Sequence, residues 1–341
     1  MIVHHAINFW CNYTNLLKSS MDLSVQEIIC LPIDEYRKLP LVNINLTKNR
    51  NPKFLHRALY AIGISGITLT SYATLIAPQW IEITEHDIPI DNLPSSFHGF
   101  SIVQLTDLHH SSIVTLDYLK ACLWKAVRLQ PDLVMLTGDY ITRHEKYAVP
   151  LAQAIQEIII DAGIPVYAVL GNHDHWNDLS ETSVGQLGNR WGGDGETVFN
   201  ALTHAGIRVL MNESVVLQKR ADRLWLIGCD DFLSGGFDLD KALKYVPMSC
   251  NEPRLLLMHN PYPIESIAHY GLDLVLSGHT HGLQVSLPFV PPKIGRKYLA
   301  GLFHVGQSRL YVCRGLGVIG VPLRFMTRPE IAYFRLVPSP A

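Results

Sequence analysis

Short apolar runs alternate with segments of helical period through the middle of the chain. Residues 164–169 are apolar and β-branched and are bounded by turn residues, which predicts a buried strand. Residues 116–129 and 149–160 each gather their apolar side chains on one helical face. Apolar runs at 100–105 and 133–136 predict two more strands. The order strand, helix, strand, helix, strand predicts a parallel sheet with right-handed crossovers.

The pattern continues to the end of the chain, and it begins with a strand and turn over residues 81–94. A helix is expected at 197–205. Further short strands are expected at 207–210, 215–217, 224–228, 255–258, 272–276, 310–313 and 331–334. These elements predict one domain over residues 81–341. We expect the α/β class, with a two-sheet β-sandwich flanked by helices.

Residues 58–80 differ from the rest because they carry no charged side chain. Their length is close to the roughly 20 residues that cross a bilayer as a helix, so we predict one N-terminal transmembrane or signal-anchor helix. Cations between residues 50 and 57 precede the run and acids follow it, which places residues 81–341 outside the cytoplasm. A buried core helix and a cleaved export signal are the alternatives. Residues 1–57 form a poorly defined N-terminal extension, to which we assign no function.

The composition agrees with membrane association. Hydrophobic residues make up 48% of the 341 residues, charged residues 17%, and the mean hydropathy is +0.14. The formal net charge of −2 argues against a polyanion held by charge, so no nucleic-acid partner is expected. The six cysteines are dispersed without a CxxC pair, so no disulfide framework is implied.

Polar side chains with ligand chemistry follow five of the predicted strands. At the carboxyl end of a strand in an α/β sheet, a loop faces the ligand crevice. The side chains at these strand ends are Asp107 and His109, then Asp139, then Asn172, His173 and Asp174, then His259, and last His279 and His281.

The chemistry of these groups predicts a metal site. They are carboxylates, imidazoles and a carboxamide, which suit divalent Mn, Fe, Zn, Ni or Co. In an extended segment, the side chains of residues two apart point to the same side. Asp107 with His109, or His279 with His281, can therefore coordinate one ion. The ligands are too many for one tetrahedral ion, and one carboxylate can bridge two. Two divalent metal ions about 3.5–4 Å apart are therefore predicted. A single such histidine would more often be structural, but the set is mutually consistent.

In order and context, these motifs resemble those of the calcineurin-like metallophosphoesterases. The resemblance covers about residues 97–337 and rests on Asp107-x-His109, Gly138-Asp139, Gly171-Asn172-His173-Asp174, His259 and Gly278-His279-Thr280-His281. It implies a role for each ligand: Asp107, His109 and His281 for the first ion, Asn172, His259 and His279 for the second, and Asp139 as the bridge. It also implies that His173 protonates the leaving alkoxide and that Asp174 holds the His173 ring.

The same resemblance implies hydrolysis of phosphodiester or pyrophosphate bonds by in-line attack of a metal-bridging hydroxide. The flanking segments look like those of a membrane-associated bacterial phosphodiesterase subgroup that includes UDP-2,3-diacylglucosamine hydrolase-type proteins of lipid A synthesis. A phosphoester substrate that is lipid-linked or a nucleotide sugar is therefore expected. Lipid A synthesis takes place in the cytoplasm, so a role in it conflicts with the position of residues 81–341 outside the cytoplasm that the charge distribution indicates. A broad-specificity phosphomonoesterase and a catalytically silent metal-binding membrane scaffold are the alternatives.

Several residues refine this hypothesis. Leu283 stands where the subgroup usually has a second glycine after Gly282, so it either restricts the backbone or lines the pocket. Apolar rim candidates are Phe289, Val290, Leu302 and Phe303, and candidate phosphate-binding cations are Arg296 and Lys297, although a solvated basic turn explains these two cations better.

Overall fold

A computed structural model describes residues 52–175, 195–247, 251–286 and 297–340. The chain divides into two compact units, residues 1–63 and residues 64–341, and every strand among the described residues lies in the second unit. The N-terminal extension before Pro52 and the loop of residues 176–194 lie outside the described residues.

The first sheet has six strands in the order β1-β12-β2-β3-β4-β5. Strands β2 to β5 run parallel, as the alternating pattern predicts, while β12 is antiparallel to β2 and parallel to β1. The strands are β1 (Glu82–Ile90), β2 (Ser101–Leu105), β3 (Leu133–Thr137), β4 (Val166–Val169), β5 (Arg208–Val209) and β12 (Glu330–Pro338).

The second sheet also has six strands, in the order β10-β11-β9-β8-β7-β6. Four of them are parallel, and antiparallel partners close both edges. The strands are β6 (Glu213–Lys219), β7 (Asp222–Gly228), β8 (Arg254–Leu257), β9 (Leu274–Ser277), β10 (Gly301–Val305) and β11 (Ser308–Val312).

The helices lie between and around these strands. Thr115 caps the N-terminus of α2, because its side chain accepts a hydrogen bond from the backbone N–H of Tyr118. In the described part of the chain, the α-helices are α1 (Pro52–Ser71), α2 (Leu116–Arg128), α3 (Ala148–Ile155), α4 (Glu196–His204), α5 (Leu239–Leu243) and α6 (Ile264–Ile267).

Three apolar layers hold the domain together. Ile102 of β2 and Leu226 of β7 belong to a buried cluster that both sheets share. Val103 and Leu105 of β2 point the other way, into a cluster shared with α2, α3 and α4. A third cluster joins the second sheet to α5 and α6. Burying one such leucine contributes about 1.5–3 kcal/mol. The predicted two-sheet sandwich flanked by helices is confirmed.

The N-terminal helix differs from the one predicted over residues 58–80. Helix α1 begins at Pro52 and ends at Ser71, and a π-helical turn (Tyr72–Ile76) and a 3-10 turn (Ala77–Gln79) follow. Pro78 lies in the 3-10 turn and has no N–H with which to continue an α-helix. Among the described residues, no helix combines the length and the apolar character needed to cross a bilayer.

Candidate metal centre

The candidate ligands lie at one edge of the sandwich, where strands of both sheets end. The first sheet contributes the residues that follow β2, β3 and β4, and the second sheet those that follow β8 and β9. All but the half-buried His279 are buried: Asp107, His109, Asp139, Asn172, His259 and His281.

Asp107, His109 and His281 form the first of two groups that could hold an ion, with their ligand atoms all within 4.8 Å of one another. Nε2 of His281 lies 3.2 Å from Oδ1 of Asp107. Nε2 of His109 lies 3.0 Å from Nε2 of His281. The set is the one that the resemblance implies for the first ion.

Asp107, Asp139 and His259 form the second group, which shares Asp107 with the first. Oδ2 of Asp139 lies 3.2 Å from Nε2 of His259 and 3.5 Å from Nε2 of His109, so this one oxygen faces both groups. That is the position a bridging carboxylate needs.

The remaining two candidate ligands face each other beside the second group. Nδ1 of His279 lies 2.9 Å from Oδ1 of Asn172. The ring of His279 lies 5.3 Å from that of His259. The structure thus brings all seven predicted ligands to one place.

One buried nitrogen shows that the site fits a cation. Nδ1 of His259 lies 2.7 Å from the carbonyl oxygen of Thr137, which can only accept, so Nδ1 carries the proton. In the neutral ring Nε2 then bears a lone pair, and it has no hydrogen-bond partner in the described part of the chain although Oδ2 of Asp139 is close. A positive charge between these two buried atoms satisfies both, and either a proton on Nε2 or a metal ion can supply it.

The electrostatics of the site lead to the same conclusion. Burial, with a contribution from Asp139, raises the pKa of Asp107 to about 7. Burial lowers the pKa of His109 to about 3, which keeps this imidazole in the neutral form that binds metal. Burial alone would lower the pKa of His259, but the neighbouring Asp139 raises it to about 10. Closely spaced buried carboxylates thus demand cationic partners.

The backbone is strained where it presents the ligands. Five of the seven adopt positive φ angles of 49–72°, a left-handed conformation that costs about 1–3 kcal/mol for a residue with a side chain. They are Asp107, His109, Asp139, His279 and His281.

Glycines make the close packing of these loops possible. A Cβ added to Gly278 would collide with the Thr106 hydroxyl and the Asp107 carboxylate. A Cβ added to Gly171 would collide with Oδ1 and the backbone nitrogen of Asp139. Each glycine therefore lets one ligand loop lie directly against another.

His173 borders the site without belonging to either ligand group. Its backbone N–H donates to Oδ1 of Asp139 over 2.8 Å, and its ring centroid lies 5.0 Å from that of His109. Nδ1 lies 2.9 Å from the carbonyl oxygen of Thr142, so Nδ1 carries the proton and the ring orientation is fixed. The side chain lines a cavity of about 260 Å³ that also contains Asp139 and His281.

Asp174 makes contacts other than the expected one with the His173 ring. Its carboxylate accepts backbone N–H bonds of 2.8 Å each from Asp139, Tyr140 and Gly171. The Thr142 carbonyl, rather than Asp174, holds the His173 ring. Three backbone donors thus satisfy the carboxylate, which ties the ligand loops together, and the predicted support of the His173 ring by Asp174 stays a prediction.

Arg324 is a site-supporting residue that the sequence analysis missed. It is fully buried, and its guanidinium donates to the carbonyl oxygens of Arg314, Gly315 and Gly317 over 2.9, 3.0 and 2.6 Å. Gly315 and Gly317 pack against Asp107 and His109, so the hydrogen bonds from Arg324 fix the backbone that supports the first ligand group. Burial lowers the pKa of Arg324 to about 10.

Tyr262 is a second missed residue. It lines the site cavity, and its ring lies 5.6 Å from that of His279. Its position just after His259 is the one sequence signal that could have pointed to it.

Leu283 and the rim and cation candidates lie in different places. Leu283 lines the site cavity at a φ of 73°, where a glycine would be unstrained. Lys297 pairs with Glu265 at 2.6 Å, and Phe303 packs on Tyr298 in a separate cavity of about 840 Å³, so neither lines the site cavity. Leu302 lies beside Phe303 on β10, the edge strand. Phe289, Val290 and Arg296 lie outside the described residues.

Comparison with known proteins assigns the class. Residues 100–283 match the model of the calcineurin-like phosphoesterase family, so the chain belongs to this family, and the resemblance seen in the motifs is confirmed. With its buried carboxylate and imidazole groups, the protein is a metal-dependent phosphohydrolase.

Three curated relatives cover most of the chain. The uncharacterized metallophosphoesterase YkuE of Bacillus subtilis is 33% identical in an alignment of 276 residues that covers 78% of this chain and 88% of the relative. Phosphodiesterase YaeI of Escherichia coli is 31% identical in an alignment of 271 residues that covers 78% of this chain and 92% of the relative. The UDP-2,3-diacylglucosamine pyrophosphatase LpxG of Chlamydia muridarum is 28% identical in an alignment of 332 residues that covers 83% of this chain and 97% of the relative.

Proposed function

We propose that the protein hydrolyses phosphodiester or pyrophosphate bonds at this site with two divalent ions, of Mn, Fe, Zn or Ni. The observation that carries the proposal is the pair of ligand groups sharing Asp107, with Oδ2 of Asp139 facing both. When bound, the ions would neutralise charge on the phosphoryl oxygens and lower the pKa of water at the site. The ligand roles are those that the resemblance implies.

The lining of the site cavity favours a diester over a monoester. Leu233, Tyr262, Leu283 and Ile319 form an apolar part of the cavity wall. No Lys or Arg is among its described lining residues. A monoester carries a second negative charge and no second substituent, whereas a diester places an organic group against that wall. The cavity therefore fits the lower charge and the larger apolar surface of a diester.

His173 is the proposed general acid. With Nδ1 bound to the Thr142 carbonyl, the other ring nitrogen, Nε2, is the one that can give a proton to a leaving oxygen. Its backbone contact to Asp139 holds the ring next to the ligand groups. In this role His173 would matter most for leaving groups that are strong bases.

A lipid-linked substrate and attachment of the protein to a membrane complete the proposal. The names of the relatives YaeI and LpxG, one a phosphodiesterase and the other a pyrophosphatase of a diacylated nucleotide sugar, support the reaction and this class of substrate. The uncharged run of residues 58–80 supports attachment, and the cations before it favour a catalytic domain outside the cytoplasm.

Turnover with matched leaving groups tests the proposal. The full chain would be stripped of metal and reloaded with Mn, Fe, Zn or Ni, and then offered diesters that release either an alkoxide or a nitrophenolate, beside nitrophenyl phosphate. We expect metal-dependent diester cleavage that exceeds monoester cleavage. We expect His173→Gln to slow alkoxide release by about 10²–10⁴-fold and nitrophenolate release far less.

The control is His204→Gln, which changes an exposed histidine on α4 and should leave both rates unchanged. Equal losses for both leaving groups in His173→Gln would exclude its role as general acid. Faster monoester turnover would support the phosphomonoesterase alternative, and two bound ions without any turnover would support the scaffold.

A further inference from the structure

A surface of exposed apolar side chains lies outside the site. Leu75, Ile76 and Trp80 follow helix α1, while Val321 and Met326 lie in the loop before β12. Each of these five side chains is 50–65% exposed, although each is large and apolar. Single exposed residues of this kind are ordinary, but a contiguous group marks an interaction surface.

Direct contacts make these two segments one surface. The backbone N–H of Arg324 donates to the carbonyl oxygen of Ala73 over 3.0 Å, so the loop is tied to the segment after α1. The guanidinium of Arg328 lies 3.9 Å from the centre of the Trp80 ring. The exposed side chains therefore lie on adjoining, mutually supported segments.

A cavity of about 560 Å³ extends the surface toward helix α2. Its walls include Pro78 from the first segment, Pro322 from the loop and Ile113 from the turn before α2. Ile113 is itself 51% exposed. We call the whole surface the apolar face, defined by Leu75, Ile76, Trp80, Ile113, Val321 and Met326.

The end of helix α1 indicates what covers the apolar face. Every residue from Gly63 to Ser71 is exposed, including Ile64, Ile67 and Leu69. At 3.6 residues per turn, Ile67 and Leu69 point about 200° apart, so apolar side chains project from opposite sides of the helix. A protein partner covers one side of a helix, whereas the acyl region of a bilayer covers apolar side chains on all sides. The aromatic ring and the arginine of the Trp80 pair suit the interface with lipid phosphates.

We propose that the apolar face docks on the surface of a lipid bilayer, in addition to any attachment through the N-terminal segment. The inference rests on the membrane association proposed above, and it is independent of the catalytic role given to His173.

The docked orientation would bring the site close to the bilayer. The side chain of Gln284 binds both backbone groups of Ile319, over 2.6 and 3.0 Å, and the Gln284 carbonyl accepts from the N–H of Phe325 over 2.8 Å. Ile319 and Gln284 line the site cavity, so the loop of residues 318–326 is both a wall of the site and part of the apolar face. The phosphoester group of a lipid-linked substrate could then reach the site while the lipid chains stay in the bilayer.

Lipid quenching of introduced tryptophans tests the docking. The full chain would be bound to vesicles of phosphatidylcholine and phosphatidylglycerol, whose acyl chains are either unmodified or brominated near the headgroups. The variants Val321→Trp and Met326→Trp report on the apolar face. The matched controls are Val149→Trp on α3 and Tyr245→Trp beyond α5, both of which replace exposed side chains elsewhere.

We expect brominated lipid to reduce the added emission at positions 321 and 326 about twofold or more, because inserted side chains reach roughly 5–10 Å into the headgroup and acyl boundary. The added emission of both controls should not change. Vesicle binding with all four variants equally unquenched would overturn the docking and leave membrane attachment in place. A chain that does not sediment with vesicles would overturn both. A dimer that forms without lipid and that Val321→Trp disrupts would assign the apolar face to a second copy instead. Turnover of a soluble diester, measured in parallel, keeps the catalytic proposal separate.

Discussion

Asp174→Asn separates two possible roles of the Asp174 carboxylate. Its two oxygens accept hydrogen bonds from different backbone N–H groups. Oδ2 accepts from Asp139 and Gly171, and Oδ1 accepts from Tyr140, each over 2.8 Å. Oδ1 also lies 3.4 Å from the backbone nitrogen of Ile141. An asparagine keeps one oxygen and places an NH₂ group against the remaining donors. At least one charge-assisted bond is therefore lost, and a buried donor is left facing another donor.

The magnitude follows from these contacts. A hydrogen bond to a charged group contributes about 1.5–3 kcal/mol, and a buried donor left unpaired costs about 1–3 kcal/mol. The expected loss in the free energy of unfolding is thus about 2.5–6 kcal/mol, which corresponds to a fall in Tm of roughly 10 °C for a domain of this size. Because the Asp139 loop would shift, metal affinity should fall as well.

The assay is urea unfolding with metal titration at pH 8, above the value of about 7 to which burial and Asp139 raise the pKa of Asp174. Asp132→Asn is the matched control, because one oxygen of Asp132 accepts both bonds from Ser101 at the opposite end of β2 and an asparagine can keep them. We expect the control to cost less than about 1 kcal/mol. If Asp174→Asn slowed turnover while stability and metal uptake stayed at parental values, the carboxylate would act on His173 after all.

Two further predictions concern the surroundings of the site. Gly171→Ala should weaken Mn binding about tenfold or more and lower the free energy of unfolding by about 1–3 kcal/mol, since the added Cβ would displace Asp139. Isothermal titration calorimetry measures the Mn affinity, with Gly66→Ala as the control because nothing lies within 4 Å of its added Cβ. Equal Mn affinities of the two variants would contradict the prediction. Burial alone would lower the pKa of His175, but the 2.7 Å contact with Asp230 raises it. The stability advantage of the parent protein over His175→Gln should therefore be complete below about pH 6.5 and decline as pH rises through the raised pKa of His175. Urea unfolding of both proteins at several pH values measures this advantage. A difference in unfolding free energy that does not change with pH would show that the contact is unimportant.

The sequence predicted the parts of the molecule whose chemistry is local. Each candidate ligand follows a strand of continuous apolar residues, and the residue types alone indicate a metal, so Asp107 and His259 could be proposed as ligands from the sequence. Strands such as β2, β3 and β8 were placed to within a residue or two because both of their faces are buried and their apolar runs are unbroken.

Other features depend on contacts that a sequence pattern does not encode. The β10 strand was missed because its side chains alternate only between half-buried and exposed positions. Arg324 lies 43 residues beyond His281, and only the folded loop brings its guanidinium to the carbonyl oxygens under the site. The partners of Asp174 are backbone amides, which every residue possesses, so no sequence pattern could indicate these contacts.

The division of ligands between the two sheets has a mechanical consequence. Asp107 and Asp139 belong to the first sheet, whereas His259 and His281 belong to the second, and more than a hundred residues separate Asp139 from His259 in the chain. An ion bound by such a set is a removable cross-link between the halves of the sandwich, and opening the sheets would require its release. Metal supply would thereby determine both the activity of the protein and its resistance to unfolding, since loss of the ions removes a cross-link between the two sheets.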